Sequence, residues 1–175
     1  MLKCVATIFV ILFVMTTKAI AVPMPVQNNI VDAQEVGHGT LTYYFWDVYI
    51  ATLWAPNGTW NPDQPYALTL DYLRKIDGEE IADRSAQEMR HIGMNDELTI
   101  AAWYRIMRDI FPSVKKGTKL TGIYLPNKGT LFFEGDKPIG NVTDQEFSKW
   151  FFGIWLHEKT SIPVLRSKLL GIDNE

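Results

Sequence analysis

Residues 118–134, Thr-Lys-Leu-Thr-Gly-Ile-Tyr-Leu-Pro-Asn-Lys-Gly-Thr-Leu-Phe-Phe-Glu, decide the fold class. Two runs of strand formers, 118–125 and 129–134, flank Pro126-Asn127-Lys128, and so short a connection holds an antiparallel hairpin. Upstream, Tyr43, Tyr44, Phe45, Trp46, Tyr49 and Thr52 make 39–52 a strand or hairpin region, bounded by Gly37 and Gly39 on one side and Pro56-Asn57-Gly58 on the other. A loop over 59–65 leads to a third strand over 66–74. Asp77 with Glu80 three residues on starts a helix that runs to about Ile92. A second helix, 96–111, carries Leu98, Ala101, Ala102, Ile106 and Ile110 at helical spacing and stops at Pro112.

Downstream, a short piece over 138–142 precedes Thr143-Asp144-Gln145-Glu146, which reads as a capping box for a helix over 147–157. A last helix, 161–170, closes on Gly171. Strands and helices come in blocks rather than alternating one by one. The expected class is therefore α+β, a large antiparallel sheet covered on one face by helices.

The N-terminus reads differently. Lys3 precedes an apolar run over 5–15, and Ala19-Ile20-Ala21 offers small residues to a signal peptidase. Eleven residues are too few to span a bilayer core but suit a signal sequence. The expected organisation is a signal peptide over 1–21, a polar lead over 22–35 and one domain over 36–175. Cleavage removes Lys3, Lys18 and Cys4, so the net charge falls from -3 to -5 and no cysteine remains. A cysteine-free exported chain fits a bacterial periplasm and has neither a thiol nucleophile nor a thiolate metal site. The mildly acidic balance argues against nucleic-acid partners. After cleavage no membrane span is expected, and the oligomeric state stays open.

Catalytic signatures are missing. The sequence holds no Gly-x-Ser-x-Gly elbow, Gly-rich phosphate loop or His-Glu-x-x-His. His38, His91 and His157 fall in different elements without ligand spacing, so neither metal nor cofactor is expected. Glu79, Glu80, Asp83 and Glu88, with Arg84 and Arg90, read as the solvated face of a helix. Aromatics remain: Tyr43 to Trp46, Tyr49 and Trp54 on early strands, and Trp150, Phe151, Phe152 and Trp155 on one helix. They make either a thick core or the walls of a cleft for an apolar ligand, with Trp150 and Trp155 as candidate plugs.

Trp46-Asp47-Val48-Tyr49-Ile50-Ala51-Thr52-Leu53, Phe111-Pro112 with Gly117, Leu120-Thr121-Gly122-Ile123-Tyr124-Leu125-Pro126, Phe147, Gly153-Ile154-Trp155-Leu156, Thr160-Ser161 and Leu165-Arg166 with Leu169-Leu170-Gly171 come in an order that resembles the chalcone isomerase-like family, in its exported bacterial branch. The resemblance covers about 36–171 and implies an open-faced sandwich with a cleft between sheet and helices. In the enzymes of that superfamily an arginine, a strand threonine, a helix tyrosine and asparagine and a late hydroxyl make the site. Their positions fall at Asp32, Tyr44, Asp77, Arg84 and Gly153, and none keeps its residue type. An acid in place of the arginine would repel the oxyanion of ring closure, which speaks against that chemistry.

The expected function is a non-catalytic envelope protein holding a small apolar or fatty-acid-like ligand, since other branches resemble fatty-acid carriers in which an arginine holds the carboxylate. Tyr44, Arg84, Trp46, Tyr49 and Trp155 are the expected ligand-binding residues. Arg84 would bind a carboxylate head with Tyr44 opposite, unless an intrahelical pair with Glu80 or Glu88 holds it. Two alternatives stay open. One is an isomerase or intramolecular lyase acting on an enone or flavonoid-like substrate, with Tyr44 as acid and Asp77 or Arg84 as its partner. The other is a partner-binding protein that uses exposed aromatics.

Overall fold

The computed structural model describes residues 21–172; the expected signal peptide lies outside them, apart from Ala21. Six strands form one antiparallel sheet in sequence order, β1 Ala33–Tyr43, β2 Trp46–Pro56, β3 Tyr66–Tyr72, β4 Lys119–Leu125, β5 Gly129–Glu134 and β6 Lys137–Val142. Helices α2 Gly78–His91 and α3 Glu97–Ile110 fill the β3–β4 connection, and α4 Gln145–Leu156 and α5 Pro163–Leu170 follow β6. This is the expected architecture.

Period-two alternation builds the main core. Tyr49, Ala51, Leu53 and Ala55 of β2, Leu68 and Leu70 of β3, Leu120 of β4 and Phe132 of β5 all turn toward α2–α5. Phe147, Phe151 and Phe152 of α4 meet them, with Phe151 edge-on to Phe132 at a centroid distance of 5.1 Å. Gly122 leaves room for Phe152, whose Cζ would lie 3.3 Å from a Cβ there. Asp144 caps α4 by accepting from the Glu146 and Phe147 amides and also takes the Trp103 indole N–H, which ties α3 to α4. The cap is thus one residue later than the Thr143 box, because Asp144 is the residue whose carboxylate faces those amides.

Helix α5 lies close on β1. A Cβ at Gly37 would come within 2.1 Å of the Lys168 carbonyl oxygen, and one at Gly39 within 2.7 Å of Leu165 Cδ1. Only glycines allow backbone and helix to approach so nearly.

Three local expectations differ. Residues 22–35 hold a helix, α1 Met24–Asn29, and the start of β1. Val26 and Ile30 pack with Trp54, Ala67 and Ile123 on the sheet face opposite the other helices. In α3 the buried stripe is Ile100, Trp103 and Met107, while Leu98 is exposed. In α2 Glu88 is 7% exposed, not part of the solvated face, and Arg90 reaches out of the helix to Glu97.

Candidate functional site

Between the sheet and helices α2 and α4 lies a cavity of about 780 Å³. Its floor is Tyr49, Leu68, Leu70, Leu120 and Phe132 from four strands; its roof is Ile81 of α2 with Phe151, Ile154 and Trp155 of α4. Thr42, Tyr43, Arg74, Lys75, Glu80 and Asp83 are exposed members of the lining and mark the mouth. The volume falls within the roughly 300–1,000 Å³ typical of small-molecule sites.

Two turns of α2 supply the polar part. Ile81, Arg84, Ser85 and Glu88 recur at helical spacing and share the face that lines the cavity. The Arg84 guanidinium holds Glu88 Oε1 at 2.5 Å, and the Ser161 hydroxyl donates to Glu88 Oε2 at 2.7 Å. Ser161 is placed by the α4–α5 loop, which is pinned where the Thr160 hydroxyl donates to the Ile154 carbonyl and Arg166 Nε to the Leu156 carbonyl. Across the cavity the Trp155 indole N–H donates to the Tyr49 hydroxyl at 3.0 Å. Burial pushes the Tyr49 phenol far above its ordinary pKa, against the lowering effect of that bond, and the negative charge of Glu88 adds to the rise. Tyr49 is thus a neutral donor, and no acceptor among the described residues takes its proton.

Tyr49, Arg84 and Trp155 line the same cavity. Tyr44 and Trp46 are not in the cavity wall. The β1–β2 register pairs Tyr43 with Trp46, so Tyr44 and Phe45 form the tip of the hairpin and Tyr44 points to solvent, 80% exposed. Trp46 lies under the Arg74 guanidinium, 5.7 Å from its ring centroid. Trp155 lines the cavity without plugging it, and Trp150 stacks on His157 instead. Of the five positions Asp32, Tyr44, Asp77, Arg84 and Gly153, only Arg84 reaches the cavity. Glu88 holds Arg84 in the intrahelical pair weighed from the sequence, and Glu88 and Ser161 join the cavity wall although neither was expected as a ligand-binding residue. The i+4 spacing of Glu88 from Arg84 and its phase with Ile81 were the available signal; for Ser161 it was only its place in the Thr160-Ser161 pair that the family resemblance includes.

Among the described residues no group of His, Cys, Asp and Glu side chains could hold a metal ion, and no helix is long and apolar enough to cross a membrane. Residues 16–171 match the family described as "Chalcone isomerase-like". The chain belongs to the chalcone isomerase-like family. A solved structure similar to this chalcone isomerase-like protein is that of a fatty-acid binding protein of Arabidopsis thaliana. The two superpose with a TM-score of 0.62 at 10% identity, over 80% of this chain and 87% of that one. At that identity the likeness is one of fold. A search of curated proteins finds no match.

Proposed function

We propose that this chalcone isomerase-like protein is a non-catalytic carrier of a small apolar ligand with an oxygen-bearing head, such as a fatty acid. The cavity carries the reading: an apolar chamber whose polar groups gather at the Arg84–Glu88–Ser161 cluster and at the Tyr49 hydroxyl. A guanidinium has five donors, so Arg84 can serve Glu88 and a ligand oxygen together. Tyr49 offers a second donor with no desolvated charge of its own. The fatty-acid binding neighbour supports the same ligand class. The proposed setting is the bacterial periplasm, reached by cleavage after Ala21, a reading supported by the apolar run over 5–15 and the cysteine-free remainder.

Palmitate at a hundred times its dissociation constant should add about 2.7 kcal/mol of stability, raising Tm by about 5–10 °C. Arg84→Ala should lose most of that shift. Equal shifts in both proteins would remove Arg84 from the site, and no shift in wild type would end the fatty-acid reading. The isomerase alternative, whose expected acid Tyr44 lies outside the cavity, is favoured by one observation, the Tyr49 hydroxyl in the cavity wall with its proton free for a ligand oxygen. Turnover of an enone or flavonoid panel that Tyr49→Phe abolishes would replace the carrier reading.

A further inference from the structure

The β1–β2 hairpin ends in Tyr43-Tyr44-Phe45-Trp46, and all four side chains are exposed, Phe45 to 94%. They are the exposed large aromatics among the described residues. Nothing in the turn asks for them. Tyr44 has φ 54, the left-handed region where glycine or asparagine is at ease and a bulky side chain is strained. A tip chosen for folding alone would place polar turn residues there.

Beside the tip stand two cations, Arg74 and Lys75. Lys75 lies 3.8 Å from Asp77, whereas among the described residues Arg74 has no carboxylate partner and rests on Trp46. Asp47, the acid on the tip itself, accepts from the Thr42 hydroxyl at 2.7 Å. Tyr43, Arg74 and Lys75 also belong to the cavity mouth. The tip is therefore a projecting wedge, aromatic at its end and flanked by the Arg74 guanidinium, set at the opening of an apolar chamber whose mouth also carries Glu80 and Asp83. Tyrosine and tryptophan rings favour the interfacial layer of a bilayer, and an unpaired guanidinium next to them meets lipid phosphates.

We propose that Tyr43-Tyr44-Phe45-Trp46 inserts into the interface of a phospholipid bilayer, with Arg74 on the phosphates, and holds the cavity mouth against the membrane surface. Passage of ligand between membrane and cavity rests on the carrier reading; the docking does not. A projecting end suits a fluid layer better than a partner's groove, because it needs no matching concavity. Its rings sit where the lipid headgroups give both apolar and polar contact.

The test is co-sedimentation of the protein lacking residues 1–21 with vesicles of phosphatidylcholine and phosphatidylglycerol in equal parts. Wild type should partition onto them, Phe45→Asp should fall by about tenfold or more, and Phe45→Leu should stay close to wild type. Arg74→Gln should lose affinity for these vesicles and little for phosphatidylcholine alone. No sedimentation of wild type, or equal sedimentation of wild type and Phe45→Asp, would overturn the proposal. So would a concentration-dependent dimer that Phe45→Asp abolishes in the absence of vesicles, since the tip would then be a contact between copies of this chain. The palmitate-induced Tm shift is measured on the same samples without lipid. Its absence in wild type sinks the carrier reading and leaves the docking result standing.

Discussion

Glu88→Gln should make the protein bind fatty acids more tightly. In wild type the Glu88 carboxylate already holds the Arg84 guanidinium at 2.5 Å. A ligand carboxylate on the same guanidinium would lie about 5 Å from that of Glu88, where two like charges repel by about 3 kcal/mol at an effective dielectric constant near 20. Arg84 is 59% exposed, so water screens part of this and about 1–2 kcal/mol remains. The glutamine removes the charge and keeps an oxygen for the Ser161 hydroxyl, so the wall geometry should survive. The expected gain is about 5–30-fold in palmitate affinity. Titration calorimetry with palmitate and with 1-hexadecanol measures it, the alcohol serving as the uncharged control whose affinity should barely change. Unchanged or weaker palmitate binding by Glu88→Gln would refute the placement of the carboxylate at Arg84. A parallel gain for the alcohol would refute the electrostatic cause.

Two further outcomes test the frame around the site. Gly37→Ala should destabilise the protein by at least about 1–3 kcal/mol in urea unfolding, since its Cβ would collide with the Lys168 carbonyl and lift α5; a neutral result would mean that α5 docks loosely. Burial raises the phenol pKa of Tyr49, Tyr66 and Tyr72 from the ordinary 10.0. Below pH 10 these phenols keep their protons in folded and unfolded chains alike; above it the unfolded chain ionises first, so stability falls, by up to about 1.4 kcal/mol per pH unit for each phenol. Urea midpoints from pH 9 to 11 should show this fall, and Tyr72→Phe should make it shallower; an equal slope would contradict the raised pKa.

Much of the fold was legible because local rules act over a few residues. The hairpin at Pro126-Asn127-Lys128, the strands on either side of it and the glycine stop at Gly171 all follow from backbone chemistry that needs no distant partner. Where a reading depended on which side of an element faces inward, it slipped. Leu98 is as apolar as Ile100, yet only Ile100 is buried, because the phase of α3 is set by what it packs on. Val26 and Ile30 looked like part of a polar lead until the reverse face of the sheet gave them Trp54 to pack against.

The site shows the same division more sharply. From the sequence came the class of the chamber, the aromatic walls and the candidacy of Tyr49, Arg84 and Trp155, because those residue types carry their chemistry wherever they sit. Only the tertiary structure decided that Glu88 shares Arg84 with the cavity and that Ser161, 73 residues away in sequence, completes the cluster. It also sent Tyr44 to the hairpin tip rather than to the chamber. Register caused that last difference: pairing Tyr43 with Trp46 leaves the two residues between them no strand partner, and the turn carries them outward whatever their hydrophobicity.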